Sequence, residues 1–488
     1  MEDYHCLAFL VVLLILRFRL PKKHVYAVPS ADAPIPWIGT ILELYKDGVT
    51  FLRKSRERYG PVYTLTVGHQ RVTVATHKEG VMRIMKDKSL ENNINIWLFE
   101  SLGGVESGTI TRQIFRLLST SVLRSFSARG ITQLAPLYSD CVIHETTSFI
   151  NAHKGERISL IEFVSFTIYR AVSVALFGPK FPLDTQLDLQ CIIYYFPRLL
   201  TPRMFLPRTP VEARARVISA LDSFIKENWN QKNGFPGAAD AGNDLLRTLR
   251  SAHLTSQTEL AILFAFIIGL HINTLRVTCW FFALLIHHPT ALIAVRDEVD
   301  RLIDEEHSGS LNSLLSSPSK AVGKNSLPFL DSALNEVLRL CVLPVLVRQA
   351  SSDIHLALDG DRSVVLKEGQ YIVADGHVLN MAEDVFEDPE RFKFDRFTKY
   401  DDRQGIPTPP LVSAFGSGPN ICKGQDFAIY EMKVLVIVCL RMYDFTGETL
   451  TGNKLPSCCP KASTTLPTPV KYLEEDVYLR FNERIHPT

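Results

Sequence analysis

The most informative segment of this chain is Phe415-Gly416-Ser417-Gly418-Pro419-Asn420-Ile421-Cys422-Lys423-Gly424, followed by an apolar helix predicted to start near Asp426. A cysteine just before a helix can be held as a thiolate, because backbone N–H groups and the helix dipole stabilise the negative charge. The glycines let the backbone turn tightly and let a flat ligand lie close to it. The alternative is a loop with a buried structural cysteine, the usual role of a lone cysteine. A chance match to Phe-x-x-Gly-x-x-x-Cys-x-Gly in a chain this long is on the order of one in a thousand.

This segment resembles the haem-binding signature of the cytochrome P450 family, and the other motifs occur in the family's order from Trp37 onwards. The resemblance implies that Cys422 is the axial ligand of the iron of haem b, with Phe415, Gly418 and Gly424 next to the cofactor. It implies a mainly α fold with small β-sheets, in one large domain with haem between two long helices. It also implies a monooxygenase, an oxidoreductase that uses dioxygen and a hydrophobic small molecule. A thiolate ligand favours this chemistry because it donates electron density to iron.

A buried charge cluster is the second motif of the resemblance. The family has a Glu-x-x-Arg pair on a helix upstream of the cysteine, and Glu336 and Arg339 supply it. A buried pair needs further partners. The family takes a third member from a downstream segment, where Arg396 is the best match and Arg391 the alternative. The resemblance gives this triad a structural role, which is to hold the haem loop in place.

The chain has a second Glu-x-x-Arg, formed by Glu298 and Arg301. Order and context favour the first copy as the family's motif. The second is predicted to be a solvated i,i+3 pair on a helix surface, which contributes at most about 0.5 kcal/mol.

Two arginines resemble the family's ligands for the haem propionates. Arg348 matches one of them, and a bidentate guanidinium suits a carboxylate. Arg116 is the candidate for the second propionate, although the aromatic residue expected four positions earlier is Arg112 here. The alternative for Arg348 and Arg116 is an ordinary surface charge, since arginine is mostly exposed in proteins.

The helix that activates oxygen in this family departs from the usual pattern. Thr274 matches the family's threonine, but Asn273 replaces the acid that normally precedes it. Asparagine can orient water but cannot titrate, whereas oxygen activation needs a proton supply. Asn420 in the haem loop is a second departure. Both asparagines resemble the branch that contains cholesterol 7α-hydroxylases, which are oxygenases, and prostacyclin synthases, which rearrange an endoperoxide without an electron donor.

Three hypotheses for function follow. The first is a membrane-anchored monooxygenase in which Thr274 and Asn273 serve oxygen activation, and Thr274 favours it because a hydroxyl can hold a water relay. The second is a haem-thiolate isomerase or dehydratase that needs no reductase, and Asn273 favours it. The third is a haem-binding sensor or carrier without turnover. The alternative for Thr274 is a helix residue that bonds the carbonyl four positions earlier.

The substrate pocket is predicted to be apolar and bulky, which suits a terpenoid or steroid-like secondary metabolite. Asp188 to Pro210 fits either a buried helix and loop or an apolar lid that touches membrane and ligand. The candidate pocket residues are Trp97, Phe264, Phe266, Ile267, Leu270, Val345, Leu346 and Thr465.

The N-terminal segment predicts a membrane anchor. Cys6 to Leu16 is an unbroken apolar run, with acidic residues before it and four basic residues between 17 and 23 after it. This charge order predicts a domain that faces the cytoplasm, and the family resemblance implies that the membrane is that of the endoplasmic reticulum. The run is shorter than a usual span, so a monotopic or cleaved segment is the alternative. We predict an anchor at 1–20, a Pro-rich hinge at 21–36 and a catalytic domain at 37–488.

The composition excludes some functions and points to a partner. The net charge of +1 argues against a nucleic-acid binder. The 9 cysteines show no zinc spacing, which fits a reducing compartment. The chain has no flavin or nicotinamide fingerprint, so an oxygenase would receive its electrons from a separate NADPH-cytochrome reductase.

Residue patterns elsewhere predict the main elements. Alternation predicts a strand pair over Val62 to Thr66 and Arg71 to Ala75. Apolar periodicity predicts helices over Thr258 to His288 and Pro328 to Leu340. Two further segments are predicted to be extended, namely Val364 to Ala374 and Thr465 to Phe481.

Overall fold

A computed structural model of the chain describes residues 29, 40, 51–52, 54–67, 70–91, 94–196, 207–230, 232–318, 326–343, 345–359, 362–401, 406–407, 414–416, 421–455, 460–462 and 470–484. The predicted anchor, nearly all of the hinge, and the candidate residues Gly418, Asn420 and Thr465 lie outside these ranges. The same holds for 197–206, the second part of the predicted lid.

Helices make up most of the described chain, which confirms the mainly α fold. In chain order they are α1 Lys78–Lys86, α2 Ile94–Gly103, α3 Arg112–Ser125, α4 Ala128–Ala152, α5 Leu160–Phe177, α6 Gln186–Tyr194, α7 Arg208–Asn228, α8 Asp240–Ser251, α9 Ser256–His271, α10 Thr274–His287, α11 Pro289–Glu306, α12 Leu311–Leu315, α13 Pro328–Cys341, α14 His377–Asn380 and α15 Gln425–Met442.

Small sheets lie beside the helices. The strands are β1 Val62–Val67, β2 Gln70–Ala75, β3 Leu90–Glu91, β4 Ile158–Ser159, β5 Val345–Ala350, β6 Ile354–Asp359, β7 Arg362–Leu366, β8 Tyr371–Asp375, β9 Tyr400–Asp401, β10 Ile406–Pro407, β11 Tyr443–Glu448 and β12 Tyr478–Glu483. The largest sheet has the order β1-β2-β8-β5-β3, with β2 and β8 parallel. A second has the order β11-β12-β4, and β6 with β7 and β9 with β10 form two-stranded ladders. The predicted pair β1 and β2 is confirmed.

Two predictions of extended structure need correction. Val364 to Ala374 is not one strand, because a turn at 367–370 separates β7 from β8 and Gly369 adopts a left-handed φ of 82° there. In the C-terminal segment, the described strand covers only β12, and Val470 forms an isolated bridge with Val342.

The core is formed by helices that are apolar on nearly all sides. Helix α15 buries every residue from Tyr430 to Arg441, and α10 buries every residue from Thr274 to Leu285. Within the described part of the chain, Leu160–Phe177 and Ser256–His287 are long and apolar enough to span a membrane, but 72% of the apolar 18-residue stretch in each is buried inside the protein. These two segments are therefore core helices of the domain.

The long helix predicted over Thr258 to His288 is interrupted in the structure. Helix α9 ends at His271 and α10 begins at Thr274, so residues 272 and 273 separate them. The Thr274 hydroxyl donates to the Leu270 carbonyl over 3.1 Å, which is the acceptor that a backbone N–H would use in a continuous helix. A local interruption of this kind follows when a side chain inserts into the helical hydrogen-bond ladder.

The prediction for Glu298 is wrong. Its side chain is only 4% exposed, while Arg301 is exposed to solvent. The Glu298 carboxylate accepts the N–H groups of Phe329 and Leu330 at 2.8 and 2.9 Å. Glu298 therefore caps the N-terminus of α13 from a neighbouring helix, which the i,i+3 spacing alone cannot reveal. Burial raises the pKa of this carboxyl, and the two backbone N–H donors oppose the rise.

Candidate active site

The site is organised around Cys422, which lies just before the N-terminus of α15. The Cys422 N–H donates to the Phe415 carbonyl at 2.8 Å, so the loop closes on itself. Gly416 takes a left-handed φ of 77°, which a side chain would oppose. The thiol is accessible to solvent on one side but surrounded by protein on others, and this burial raises its pKa, while the Gly424 N–H and the Lys423 charge lower it. Of the three residues predicted to lie next to the cofactor, Phe415 and Gly424 thus lie beside Cys422.

The structure brings Glu336, Arg339 and Arg396 together. Arg339 makes a bidentate pair with Glu336, both N–O distances being 2.8 Å, and both side chains are fully buried. The Arg396 Nε lies 2.9 and 3.0 Å from the two oxygens of the same carboxylate. The alternative third member, Arg391, is exposed and contributes only its carbonyl, which accepts from Arg396 at 3.0 Å. A single buried carboxylate therefore joins α13 to the segment before the thiol loop.

Further groups satisfy the charges of this triad. The Lys393 N–H donates to Glu336 at 3.1 Å, and Arg339 donates to the Asn380 carbonyl at 2.9 Å. The Phe386 ring lies 5.0 Å from the Arg339 guanidinium carbon. Buried ion pairs are tolerated when their remaining donors and acceptors are used in this way.

Arg348 and Arg116, the two candidate propionate ligands, lie in different environments. Arg348 is on β5 and only 4% exposed, and it donates to the Val347 carbonyl at 3.0 Å. Burial lowers its pKa to about 10, and among the described residues it has no carboxylate partner. Arg116 is exposed on α3, one turn after Arg112, which pairs with Glu91 at 2.8 Å.

Between Ala261 and Leu285, one stripe of the α9–α10 segment is accessible while the other residues are buried. We call it the open face; it comprises Phe266, Gly269, Leu270 and Asn273. The spacing of these residues places them on one side of a helix. Thr274 lies next to this face but is buried, and its hydroxyl is engaged by Leu270 as described above. The predicted catalytic pair thus lies at the helix interruption, where Asn273 is exposed on the open face and Thr274 is buried beside it.

His271 sits at the same interruption but points into the core. Its side chain is fully buried against the Tyr169 ring, at a centroid distance of 5.2 Å. Neither ring nitrogen has a hydrogen-bond partner among the described residues. Burial lowers the His271 pKa to about 3, so the imidazole is neutral at physiological pH.

An aromatic column connects the open face to the helix that follows the thiol. Phe126, just after α3, stacks on Phe266 at 6.3 Å and on Phe427 of α15 at 4.7 Å. Sequence reasoning missed Phe126, because nothing in its neighbourhood marks it as different from another core aromatic residue. Its position shows that the open face and Cys422 flank the same part of the molecule.

The predicted pocket residues separate into groups. Phe266 and Leu270 belong to the open face and are half-buried. Phe264 is fully buried, and helical geometry places it about 180° around the helix from Asn273, so it packs in the core. The others that can be described, Trp97, Ile267 and Leu346, are buried, and the side chain of Val345 lies outside the described set.

Comparison with known proteins identifies the class. The family model for cytochrome P450 matches residues 29–473, so the chain belongs to the cytochrome P450 family. It is an oxidoreductase of this monooxygenase family, with haem b as cofactor.

The relatives found include steroid hydroxylases. The 7-alpha-hydroxycholest-4-en-3-one 12-alpha-hydroxylase of Homo sapiens is 24% identical over 99% of this chain and 98% of its own length. The 5-beta-cholestane-3-alpha,7-alpha-diol 12-alpha-hydroxylase of Sus scrofa is 23% identical, with 88% of each chain covered. Prostacyclin synthase of Rattus norvegicus is also 23% identical, over 84% of this chain and 85% of its own. The resemblance to both kinds of enzyme noted from the asparagines is thus confirmed.

The residues present fit a haem with a thiolate ligand. Cys422 offers an accessible sulfur at a helix N-terminus. A Cβ added at Gly269 or Gly424 would meet no atom within 4 Å, so both positions leave room for a flat ring. Arg348 offers a buried cation to an acidic group of the cofactor.

Proposed function

We propose that this protein is a membrane-anchored monooxygenase that hydroxylates a steroid-like or other terpenoid small molecule with electrons from NADPH-cytochrome reductase. Full-length similarity to steroid hydroxylases supports the substrate class. Phe266 and Leu270 give the open face an apolar surface, which suits a hydrophobic polycycle. When bound, haem supplies a thiolate-ligated iron at which dioxygen can be cleaved.

The observation that carries the proposal is the pair Asn273 and Thr274 at the helix interruption. A hydroxyl has one donor and two acceptor lone pairs, and the Thr274 donor is used by the Leu270 carbonyl. Its acceptor side remains for a water molecule. Asn273 faces outward beside it and can orient that water without supplying its own proton. Water held by Thr274 would then relay protons from solvent, in place of the acid that the family usually has here.

A reconstituted assay tests the reductase requirement. We would combine the purified holoprotein with NADPH-cytochrome reductase, NADPH, dioxygen and a panel of steroids, terpenoids and alkaloids. We expect hydroxylated product from the steroid or terpenoid members only when reductase is present. Full turnover with the reductase omitted would contradict the proposal.

A reductase-independent isomerase is the second candidate, and Asn273 together with the similarity to prostacyclin synthase supports it. This enzyme would rearrange a peroxide or pre-oxidised substrate. The same assay separates the two candidates if a lipid endoperoxide is added without NADPH. Rapid conversion of the endoperoxide, with no oxidation of any steroid, would favour the isomerase.

We also propose that residues 1–20 anchor the catalytic domain to the endoplasmic reticulum membrane, with the domain in the cytoplasm. The apolar run and the basic residues after it support this orientation. Deleting residues 1–20 should leave a foldable haem protein with weaker membrane association, measured by flotation on liposomes. If the truncated protein floats as well as the full chain, another surface, such as 188–210, binds the membrane.

A further inference from the structure

The thiol loop, residues 415–424, lies between two chain segments that are both bonded to α13. In the segment before the loop, Lys393 and Arg396 donate to Glu336 as described above. In the same segment, the Phe397 N–H donates to the buried Ser332 hydroxyl at 2.8 Å. Ser332 and Glu336 are four residues apart, so they lie on one side of α13. The chain that leads into the loop is therefore attached to this helix.

The helix that follows the loop is joined to α13 by a different ion pair. Lys433 lies about two turns into α15, and its side chain is fully buried. Its Nζ lies 2.6 Å from Oδ1 of Asp331, in the first turn of α13. A buried ammonium needs a partner, so this bond restricts Lys433 to one position. We call Asp331 and Lys433 the α13–α15 pair.

Helix α13 is itself held at both ends. Glu298 of α11 caps its N-terminus, and Arg339 near its C-terminus is buried in the triad. Both α13 and α15 pack against α10 and α11, and the α13–α15 pair joins them directly. A shift of α15 relative to α13 would therefore break a bond made by a buried charge.

Lys433 interacts with two carboxylates in this cluster. Burial raises the pKa of Asp331, and the charge and hydrogen bond of Lys433 oppose the rise. Burial also raises the pKa of Glu298, where the Phe329 and Leu330 N–H groups and the Lys433 charge act in the opposite direction. Lys433 thus stabilises the charged form of both acids, one on each of the two helices that flank it.

We propose that Lys433 is a positioning residue for the iron ligand, because its bond to Asp331 fixes α15, and with it Cys422, relative to the segment that enters the loop. The triad holds the chain before the thiol, and the α13–α15 pair holds the chain after it. Since α13 carries both attachments, the two ends of the loop keep a constant separation. This role rests on Cys422 as the ligand, which Cys422→Ala tests separately, and it does not depend on the proposed substrate.

Two variants distinguish positioning from a contribution to stability alone. Lys433→Met leaves Asp331 without its cation, which lowers the free energy of unfolding. Adding Asp331→Asn removes the uncompensated charge, the main source of that loss, so the double variant should recover stability. The bond between α13 and α15 is absent from the double variant as well. Recovery of the ligand signals would indicate a stability role, and their continued loss a positioning role.

The measurements are made on purified holoprotein. The reduced carbon monoxide complex gives the amplitude of the red-shifted thiolate band per haem, and a redox titration gives the midpoint potential of the iron. We expect Lys433→Met and the double variant to lose part of this band and to have a higher potential than the wild type. The reason is that a less firmly held thiolate donates less electron density to iron. Denaturant unfolding of each variant measures its stability.

Arg441→Met is the matched control. Arg441 also lies on α15, but it pairs with Asp300 and Asp304 of α11, at 3.0 and 2.7 Å, at the end of the helix away from Cys422. We expect this substitution to lower the free energy of unfolding and to leave the thiolate band and the potential unchanged. A wild-type band and potential in the double variant would overturn the proposal, and so would an equal change in Arg441→Met and Lys433→Met. If Lys433→Met yields no folded holoprotein, the double variant, in which neither member of the pair is charged, decides.

Discussion

The two sides of the active site, the thiol side around Cys422 and the open face around Asn273, are held in different ways. On the thiol side, the triad of Glu336, Arg339 and Arg396 is buried and saturated with hydrogen bonds. On the open face, Asn273 is exposed and the backbone beside it departs from a regular helix. One side is a rigid support, and the other is an accessible surface with polar groups at its edge.

This difference separates what is general in the family from what is particular to this chain. A metal ligand must be held within a fraction of an ångström, so the thiol side needs a firm support. In the proposed function the open face meets the substrate and the proton supply, and a change there should alter the reaction without altering the fold. Substitutions on the thiol side should therefore affect haem content, and those on the open face should affect turnover.

The largest effect is expected from Cys422→Ala. Loss of the thiolate should abolish the red-shifted Soret band of the reduced carbon monoxide complex. Cys439→Ala is the matched control, because Cys439 lies buried in α15 outside the thiol loop. This substitution should lower the free energy of unfolding by about 1 kcal/mol or less. An unchanged band in Cys422→Ala would contradict the assignment of the ligand.

Glu336→Ala should be the next most severe change, since it leaves Arg339 and Arg396 without their carboxylate. Breaking a buried pair costs about 3–5 kcal/mol, and little holoprotein should form. Glu298→Ala should cost about 1–3 kcal/mol, because two buried N–H groups at the start of α13 lose their acceptor. Glu305→Ala, at an exposed position of α11, should stay within about 0.5 kcal/mol.

Haem content per polypeptide and the free energy of unfolding measure this series. The expected order of loss is Glu336, then Glu298, then Glu305. If Glu298→Ala changes neither haem content nor the free energy of unfolding, the cap at the start of α13 does not stabilise that helix. An equal loss at Glu298 and Glu336 would contradict the prediction that the triad contributes more to haem binding than the cap does.

Thr274→Val should have a smaller effect on haem content than Cys422→Ala or Glu336→Ala. Its main effect should be on turnover. The valine keeps the shape but removes the hydroxyl, so haem binding and substrate affinity should persist. Product formed per NADPH should fall about 10- to 100-fold, at or below the low end of what a positioned proton-transfer group contributes. The missing electrons should appear as hydrogen peroxide.

Thr274→Ser is the control, because it restores the hydroxyl and should restore the coupling of NADPH to product. If Thr274→Val stays coupled, Thr274 has no part in the proton supply, and its hydroxyl serves only the helix interruption at Leu270.

Local patterns predicted much of this molecule. The motif around Cys422 predicted the ligand and its place before a helix, because a thiolate site needs glycines and N–H groups from neighbouring residues. Periodicity predicted α13 and the pair β1 and β2, since one buried face is enough to specify each.

Other features depend on contacts between distant segments, and only the tertiary structure decided them. Glu298 and Glu336 have the same spacing to an arginine, yet one caps a neighbouring helix and the other joins a buried triad. The sequence alone cannot separate them, because burial depends on which elements pack together. The stacking of Phe126 on Phe266 and Phe427 also depends on which elements pack together, so the sequence alone does not reveal it. By itself the sequence predicted Cys422 as the ligand and determined the class of fold, whereas packing decided which charges are buried and where the long helix is interrupted.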